Sequence, residues 1–272
     1  MKNSLIFLIL LITTTSINCQ NKIEYGNNTS AGKFYNVRGV KMYVEQYGNG
    51  KPLIMIHGNG GSIASMSSII PFFSQQYHVI AIDSRAHGKS IDAEDSISFE
   101  MMSDDNAALL QQMHIDSAYV IGWSDGGIIA LELAIRHPEK VIKLVSTGAN
   151  LWPDSTAILP SLWKHDKLYY DSLHLKKWST EKEKNNWKIF MLDWTQPNIP
   201  LSDLAKIKCP SLIVSGDHDV ITLEHTLKIY QAISRAYLWI LPNSGHATLI
   251  EHTDDFNRKV NDFFIAPYNM RK

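Results

Sequence analysis

Gly122-Trp123-Ser124-Asp125-Gly126 is a G-x-S-x-G pentapeptide. That pattern sets a serine on a sharp strand-to-helix turn and pushes its hydroxyl out of the sheet top, where it can attack a carbonyl. A serine nucleophile needs a base to remove its proton and a carboxylate to orient that base. Both follow in the chain order Ser, Asp, His. Asp219 ends the short apolar segment Cys209 to Asp219, with Asp217 as a second acid in the same turn. His246 closes Asn243-Ser244-Gly245-His246, just past the apolar run Tyr237 to Pro242. Singly, such an acid is a turn residue or helix cap, and a loop histidine is a solvated side chain. Together, each just beyond an apolar run, they point to Ser124 as nucleophile, His246 as general base and Asp219 as orienting acid, with Asp217 the runner-up.

These residues need rigid elements beneath them. Ala118 to Ile121 is a buried-strand run and Ile128 to Ile135 a helical one, so the pentapeptide falls at their junction. Phe34 to Gly48 alternates like a leading hairpin, and strand and helix signals then follow each other to about Ser146, a doubly wound pattern. Val141 to Val145 is the last strand before the texture changes. Residues 150–207 carry Trp152, Trp163, Tyr169, Tyr170, Trp178, Trp187, Phe190 and Trp194 with no clear strand, and read as a helical cap. Most of those aromatics are expected to pack the cap onto the body, because a small helical insert needs large side chains to bury enough area. The rest would wall an active site. Trp123 is expected to pack beneath the turn.

From about Gly32 to about Phe264 the chain resembles the α/β-hydrolase family. Beside the pentapeptide and its partners, Ile54-Met55-Ile56-His57-Gly58-Asn59-Gly60-Gly61 resembles the family's strand followed by His-Gly. Asp83-Ser84-Arg85-Ala86-His87-Gly88-Lys89-Ser90 resembles its D-x-R-G-x-G-x-S loop. Ala86 stands where the family usually has glycine, which suggests a local change of backbone without loss of chemistry. Glu251-His252 is a looser version of the family's Glu-x-Pro. The resemblance implies a mostly parallel eight-stranded sheet flanked by helices, with a helical cap insertion at about 150–207. It also implies an oxyanion hole made by the backbone amides of Asn59 and Asp125, and no cofactor.

The implied activity is hydrolysis of a carboxylic ester or amide of a small molecule through an acyl-enzyme. Carbon-carbon bond hydrolysis, cofactor-free perhydrolysis and a noncatalytic ligand receptor are the alternatives on the same fold, and the intact set of catalytic positions disfavours the receptor. Asp125 puts a carboxylate beside the nucleophile, and Gly-Trp-Ser-Asp-Gly-Gly resembles valacyclovir-hydrolase-like members. A substrate contact from Asp125 would favour amino-bearing acyl groups. The competing account is an acid in the first turn of the following helix, which the macrodipole stabilises whatever the substrate.

The 272 residues are 44% hydrophobic and 19% charged with a formal charge of -1, enough apolar surface for one enzyme domain and no basic bias toward nucleic acid. Lys182, Lys184 and Lys188, among Glu181 and Glu183, read as a solvated helix face. No G-x-x-x-x-G-K-[ST] accompanies the His57 to Gly61 loop, so its amides are not assigned to a nucleotide. The 11 histidines show no metal-ligand spacing.

Lys2 followed by Leu5 to Ile12 and small polar residues has the layout of an export signal over 1–18, too short to span a bilayer comfortably. Cys19 then resembles a lipidated lipoprotein cysteine, with residues 19–31 a tether and 32–268 the hydrolase domain. An exported envelope lipoprotein, attached to a membrane only through Cys19, and a periplasmic or secreted protein are the two expectations. Cys209 would then be the sole cysteine of the mature chain, a buried structural thiol.

Overall fold

The computed structural model describes residues 23–269. The export segment and Cys19 lie outside the described residues. Eight strands form one sheet: β1 (Gly32–Val37), β2 (Val40–Tyr47), β3 (Lys51–Ile56), β4 (Tyr77–Ile82), β5 (Ala118–Trp123), β6 (Val141–Thr147), β7 (Ser211–Gly216) and β8 (Ala236–Leu241). The helices are α1 (Ile70–Phe73), α2 (Phe99–Gln112), α3 (Asp125–Arg136), α4 (Pro160–Leu173), α5 (Glu181–Thr195), α6 (Leu201–Leu204), α7 (Leu223–Ala232), α8 (Thr248–Glu251) and α9 (Thr253–Ile265).

Spatial order is β1-β2-β4-β3-β5-β6-β7-β8. β1 and β2 pair antiparallel across Arg38-Gly39, both at positive φ, the backbone of a two-residue hairpin turn. β2 is antiparallel to β4, and the remaining pairings are parallel. Central strands of such a sheet are covered on both faces, which is why β3 and β5 read as continuous apolar runs. Alternate side chains serve two cores. Ile54, Ile56 and Val120 pack with Leu110, Ile128 and Leu131 on one face. Leu53, Met55 and Ile121 pack with Phe73, Phe256 and Phe264 on the other. From β3 the chain turns to β4 on one side and later to β5 on the other, so a crevice opens between the carboxyl ends of β3 and β5.

Between β6 and β7 lie α4, α5 and α6. Thr180 and Glu183 cap the start of α5 reciprocally, Thr180 Oγ1 accepting from the Glu183 N–H (3.2 Å) and Glu183 Oε2 from the Thr180 N–H (3.0 Å). α4 and α5 hold each other through stacked rings: Trp163 on Trp194 at 5.9 Å and Tyr170 on Trp194 at 5.0 Å. α4 has no buried residue. Lys188 departs from the solvated face expected of it. Its side chain is only 10% exposed, donating to Asp92 Oδ2 (2.8 Å) and the Glu94 carbonyl (2.7 Å). The Asp92 carboxylate is itself buried and also pairs with Arg85 (2.7 Å), which forks onto Asp105 (2.7 and 2.9 Å). Lys188 gives Asp92 a second cation, as Arg38 gives one to Asp105 (3.3 Å), so each of the two buried carboxylates on Arg85 has a further partner.

The carboxyl-terminal part of the expected tether is docked. Gly26 and Asn28 donate their backbone N–H to the buried Glu45 carboxylate (2.7 and 2.8 Å), and Tyr25 packs edge-on against Tyr47. Among the described residues Glu45 has only the Tyr43 and Tyr47 hydroxyls as other donors, so the leading segment completes its hydrogen bonding.

Candidate active site

Ser124 ends β5 and begins α3 with φ 58° and ψ -121°, a conformation that costs a non-glycine residue about 1–3 kcal/mol. The turn closes because its flanking residues lack side chains. A Cβ on Gly122 would collide with the Gly126 carbonyl oxygen, and one on Gly126 with that of Ile56. The Ser124 N–H is anchored on the Thr147 carbonyl of β6 (2.8 Å).

His246 Nε2 lies 2.9 Å from Ser124 Oγ, and His246 Nδ1 lies 2.6 Å from Asp219 Oδ1. With a carboxylate on Nδ1, the proton resides there and Nε2 presents its lone pair to the serine. Asp219 is held in turn: Oδ1 also accepts from the Ile221 N–H (3.0 Å) and Oδ2 from Ser215 Oγ (3.2 Å). Asp217, the other candidate acid, instead faces His218 (2.7 Å) and the Ser244 N–H (3.0 Å). The geometry therefore brings Ser124, His246 and Asp219 into one line and leaves Asp217 outside it. Three further contacts fix the histidine loop. Trp123 Nε1 donates to the His246 carbonyl (2.9 Å), while Glu251 Oε2 accepts from the Gly245 N–H (2.6 Å) and Ser244 Oγ (3.2 Å).

Asn59 and Asp125 approach this line from β3 and α3. Among the described residues neither backbone N–H has an acceptor, the state expected of an oxyanion hole awaiting substrate. The preceding His57 is buried, which pushes its pKa down to about 4 and keeps it neutral. Nδ1 donates to the Gly58 carbonyl (2.7 Å) while Nε2 accepts from the Ser84 N–H (3.1 Å), clamping this loop to the one after β4. In that second loop Ala86 takes φ 65°, in the left-handed region that favours glycine. The substitution is accommodated as strain of about 1 kcal/mol, and the Ala86 carbonyl accepts from Asn185 of α5 (2.8 Å).

The line opens into a cavity of about 750 Å³ between body and cap. Of the eight cap aromatics, Trp163, Phe190 and Trp194 line it and the others pack away from it. Three carboxyl groups, Asp125, Asp166 and Asp193, border the cavity, and no Lys or Arg does among the described residues. The Asp125 side chain accepts from Asn59 Nδ2 (2.9 Å), and Asp193 borders the same cavity. Burial raises the pKa of Asp125; burial and the Asp125 charge raise that of Asp193 well above the usual carboxylate range. Sequence reading missed Asp166 and Asp193. The signal was there: Asp193 follows Asn186, Ile189 and Phe190 at helical spacing, and Asp166 follows Leu162 and Trp163, placing each acid on its helix's inward stripe.

Cys209 is a buried free thiol, pushed up to about 11 by burial and remote from the cavity lining.

A nucleophile turn at the β3/β5 switch point, a helical insertion after β6 and an acid and base beyond β7 and β8 define a serine hydrolase of the α/β-hydrolase fold. The alpha/beta hydrolase fold family matches residues 51–172. Along most of its length the chain is similar to 2-hydroxymuconate semialdehyde hydrolase of Pseudomonas sp. (strain CF600), 27% identical over 87% of this chain and 95% of that one. Serine hydrolase BPHL of Mus musculus is 24% identical over 84% of each. Among solved structures, the meta-cleavage product hydrolase from Pseudomonas fluorescens IP01 superposes with a TM-score of 0.70 at 25% identity, over 87% of this chain and 98% of that one.

Proposed function

We propose that the chain hydrolyses carboxylic esters or amides of small molecules through an acyl-enzyme on Ser124, with a preference for acyl groups that carry an amino group. The unbroken hydrogen-bonded line from Asp219 through His246 to Ser124, opening onto a cavity beside two free backbone amides, carries this reading. Ser124 Oγ attacks the carbonyl carbon as His246 Nε2 takes its proton. The amides of Asn59 and Asp125 receive the oxyanion, each worth about 3 kcal/mol. The imidazolium then protonates the leaving alkoxide or amine. A water, deprotonated by the same nitrogen, attacks the acyl carbon and releases the acid with Ser124 restored. Asp219 holds the tautomer and stabilises the imidazolium without taking its proton.

The charge of the cavity supports the amino preference. At roughly 6 Å and an effective dielectric near 20, one carboxylate attracts a substrate ammonium by about 3 kcal/mol, about a hundredfold. The same wall opposes the second reading, carbon-carbon hydrolysis. The names of several relatives describe hydrolases of dienoic acids, whose carboxylates would here meet Asp125, Asp166 and Asp193 with no lysine or arginine among the described residues beside them.

Labelling with a fluorophosphonate probe, followed by peptide mass spectrometry, is expected to modify Ser124 and to fail in Ser124→Ala. Matched aminoacyl and plain acyl esters, run beside a 2-hydroxy-6-oxodienoate, then decide the substrate class. Faster turnover of the dienoate would replace the ester reading, and equal kcat/KM for both esters, unchanged in Asp125→Asn, would remove the amino preference. No labelling of the folded protein would favour a ligand receptor. Export, with or without lipid on Cys19, is proposed from residues 1–19 alone and is tested by fractionating cells and weighing the mature chain.

A further inference from the structure

Gly148 is the first residue beyond β6, where the chain turns toward the cap, and it does not line the cavity. Its φ is 65°, a left-handed backbone that a residue with a side chain adopts at a cost of about 1 kcal/mol. A second constraint is more specific. A Cβ at this position would lie 2.7 Å from His246 Cε1, 2.9 Å from His246 Nδ1 and 3.5 Å from Asp219 Oδ2. Cε1 is the carbon between the two working nitrogens, so pressure on it moves both. Asp219 stands at ordinary van der Waals distance, so the intrusion falls on the imidazole.

The surrounding backbone has little freedom to relieve it. The Gly148 N–H donates to the Val214 carbonyl of β7 (3.1 Å), and the preceding Thr147 carbonyl holds the Ser124 N–H (2.8 Å). Three residues on, the Leu151 N–H donates to Nε2 of buried His225 (2.8 Å). On the other side Trp123 ties the His246 carbonyl and Glu251 ties the Gly245 N–H. Rotation of the His246 side chain is the response that remains.

We propose that Gly148 is a positioning residue whose missing side chain sets the depth at which the imidazole seats, so that His246 reaches Ser124 Oγ and Asp219 Oδ1 at once. The proposal rests on the triad reading and adds to it a residue that acts only through the base. With a methyl group there, the ring has to retreat by about 0.7 Å to regain ordinary contact. That displacement works against hydrogen bonds of 2.9 Å to the serine and 2.6 Å to the aspartate. Misplacement of a catalytic group on the scale of 1 Å costs about a hundredfold in rate.

Gly39 supplies the comparison. It lies in the β1–β2 hairpin turn at φ 84°, and a Cβ there would meet nothing within 4 Å. Gly39→Ala therefore carries left-handed strain without the contact.

The test compares the full chain with Gly148→Ala and Gly39→Ala, each checked for folding by thermal unfolding. In Gly148→Ala the rate of fluorophosphonate labelling at Ser124 and kcat for an activated ester are each expected to fall about a hundredfold. KM should move less than about threefold, because Gly148 is outside the cavity. The downfield proton resonance of the hydrogen bond between His246 Nδ1 and Asp219 should move upfield or vanish. Gly39→Ala should keep all three readouts at a similar loss of stability. In the unmutated chain a nuclear Overhauser contact is expected between the Gly148 α-hydrogens and His246 Hε1, which reads the seat even if Gly148→Ala fails to fold. Labelling of folded Gly148→Ala at the unmutated rate, an equal loss in Gly39→Ala, or no Overhauser contact overturns the seat while labelled Ser124 in the unmutated chain leaves the triad standing. No labelling of Ser124 in the unmutated chain overturns both.

Discussion

Replacing Asp219 with asparagine tests the triad most sharply, because the structure states where each atom of the amide must go. Asp219 Oδ1 accepts from both the Ile221 N–H and His246 Nδ1, so an oxygen is needed there. Oδ2 faces Ser215 Oγ, which can give its hydrogen to the Gly216 carbonyl (3.1 Å) and then accept from an amide NH₂. The asparagine of Asp219→Asn is therefore expected to keep its carbonyl on His246 and preserve the productive tautomer. What is lost is charge. A carboxylate and an imidazolium about 4 Å apart at an effective dielectric near 20 attract by about 4 kcal/mol. On that figure kcat should fall about a thousandfold. Steady-state hydrolysis of an activated ester at about pH 7.5 reads the loss, with thermal unfolding run beside it to show that Asp219→Asn folds. Asp217→Asn is the comparison, and should lose less than about tenfold because its carboxylate does not touch His246. A loss below about tenfold in folded Asp219→Asn, or a larger one in Asp217→Asn, would refute the assignment of the acid and the charge-stabilisation argument with it.

Lys188→Met keeps the stem of the side chain but leaves the buried Asp92 carboxylate with Arg85 alone, and is expected to cost about 3 kcal/mol in urea unfolding. An unchanged midpoint would mean that Asp92 does not need the second cation. Glu132, buried in α3, has its carboxyl pushed up from 4.5 to about 7, mainly by burial. A carboxyl raised in the folded state binds its proton more tightly there than when unfolded. Its contribution is therefore full below about pH 4.5 and is lost as pH rises toward 7. Glu132→Gln should flatten that part of the stability profile, and an unaltered slope would count against the shift.

Legibility in the sequence followed the physics of each signal. Sheet strands such as Leu53 to Ile56 and Val120 to Ile121 declare themselves because both faces are buried, and Ser124, Asp219 and His246 because each follows an apolar run, the one before His246 being only half-buried. Lys188 could not be read, since its partner Asp92 lies 96 positions away and nothing local distinguishes a buried ammonium from a solvated one. Trp123 was expected beneath the turn, yet its indole N–H reaches the His246 carbonyl, a contact made only when β5 and the loop after β8 converge. Asp193 was legible in principle from its place on an inward stripe. It was missed because the cap was read for its aromatics, whereas its polar residues border the nucleophile.

Because α4 buries none of its residues and leans on α5 through stacked rings, its thermodynamic accounts are separate from those of the sheet. Exchanging Leu162, Trp163 or Asp166 reshapes the cavity without opening a void among Ile54, Val120 and Leu131. Substrate range and fold stability are thus written in different parts of the chain. New catalytic preferences can be explored in this helix at little risk to folding, whereas a comparable change in α3, ten of whose twelve residues are buried, would first have to survive as a folded protein.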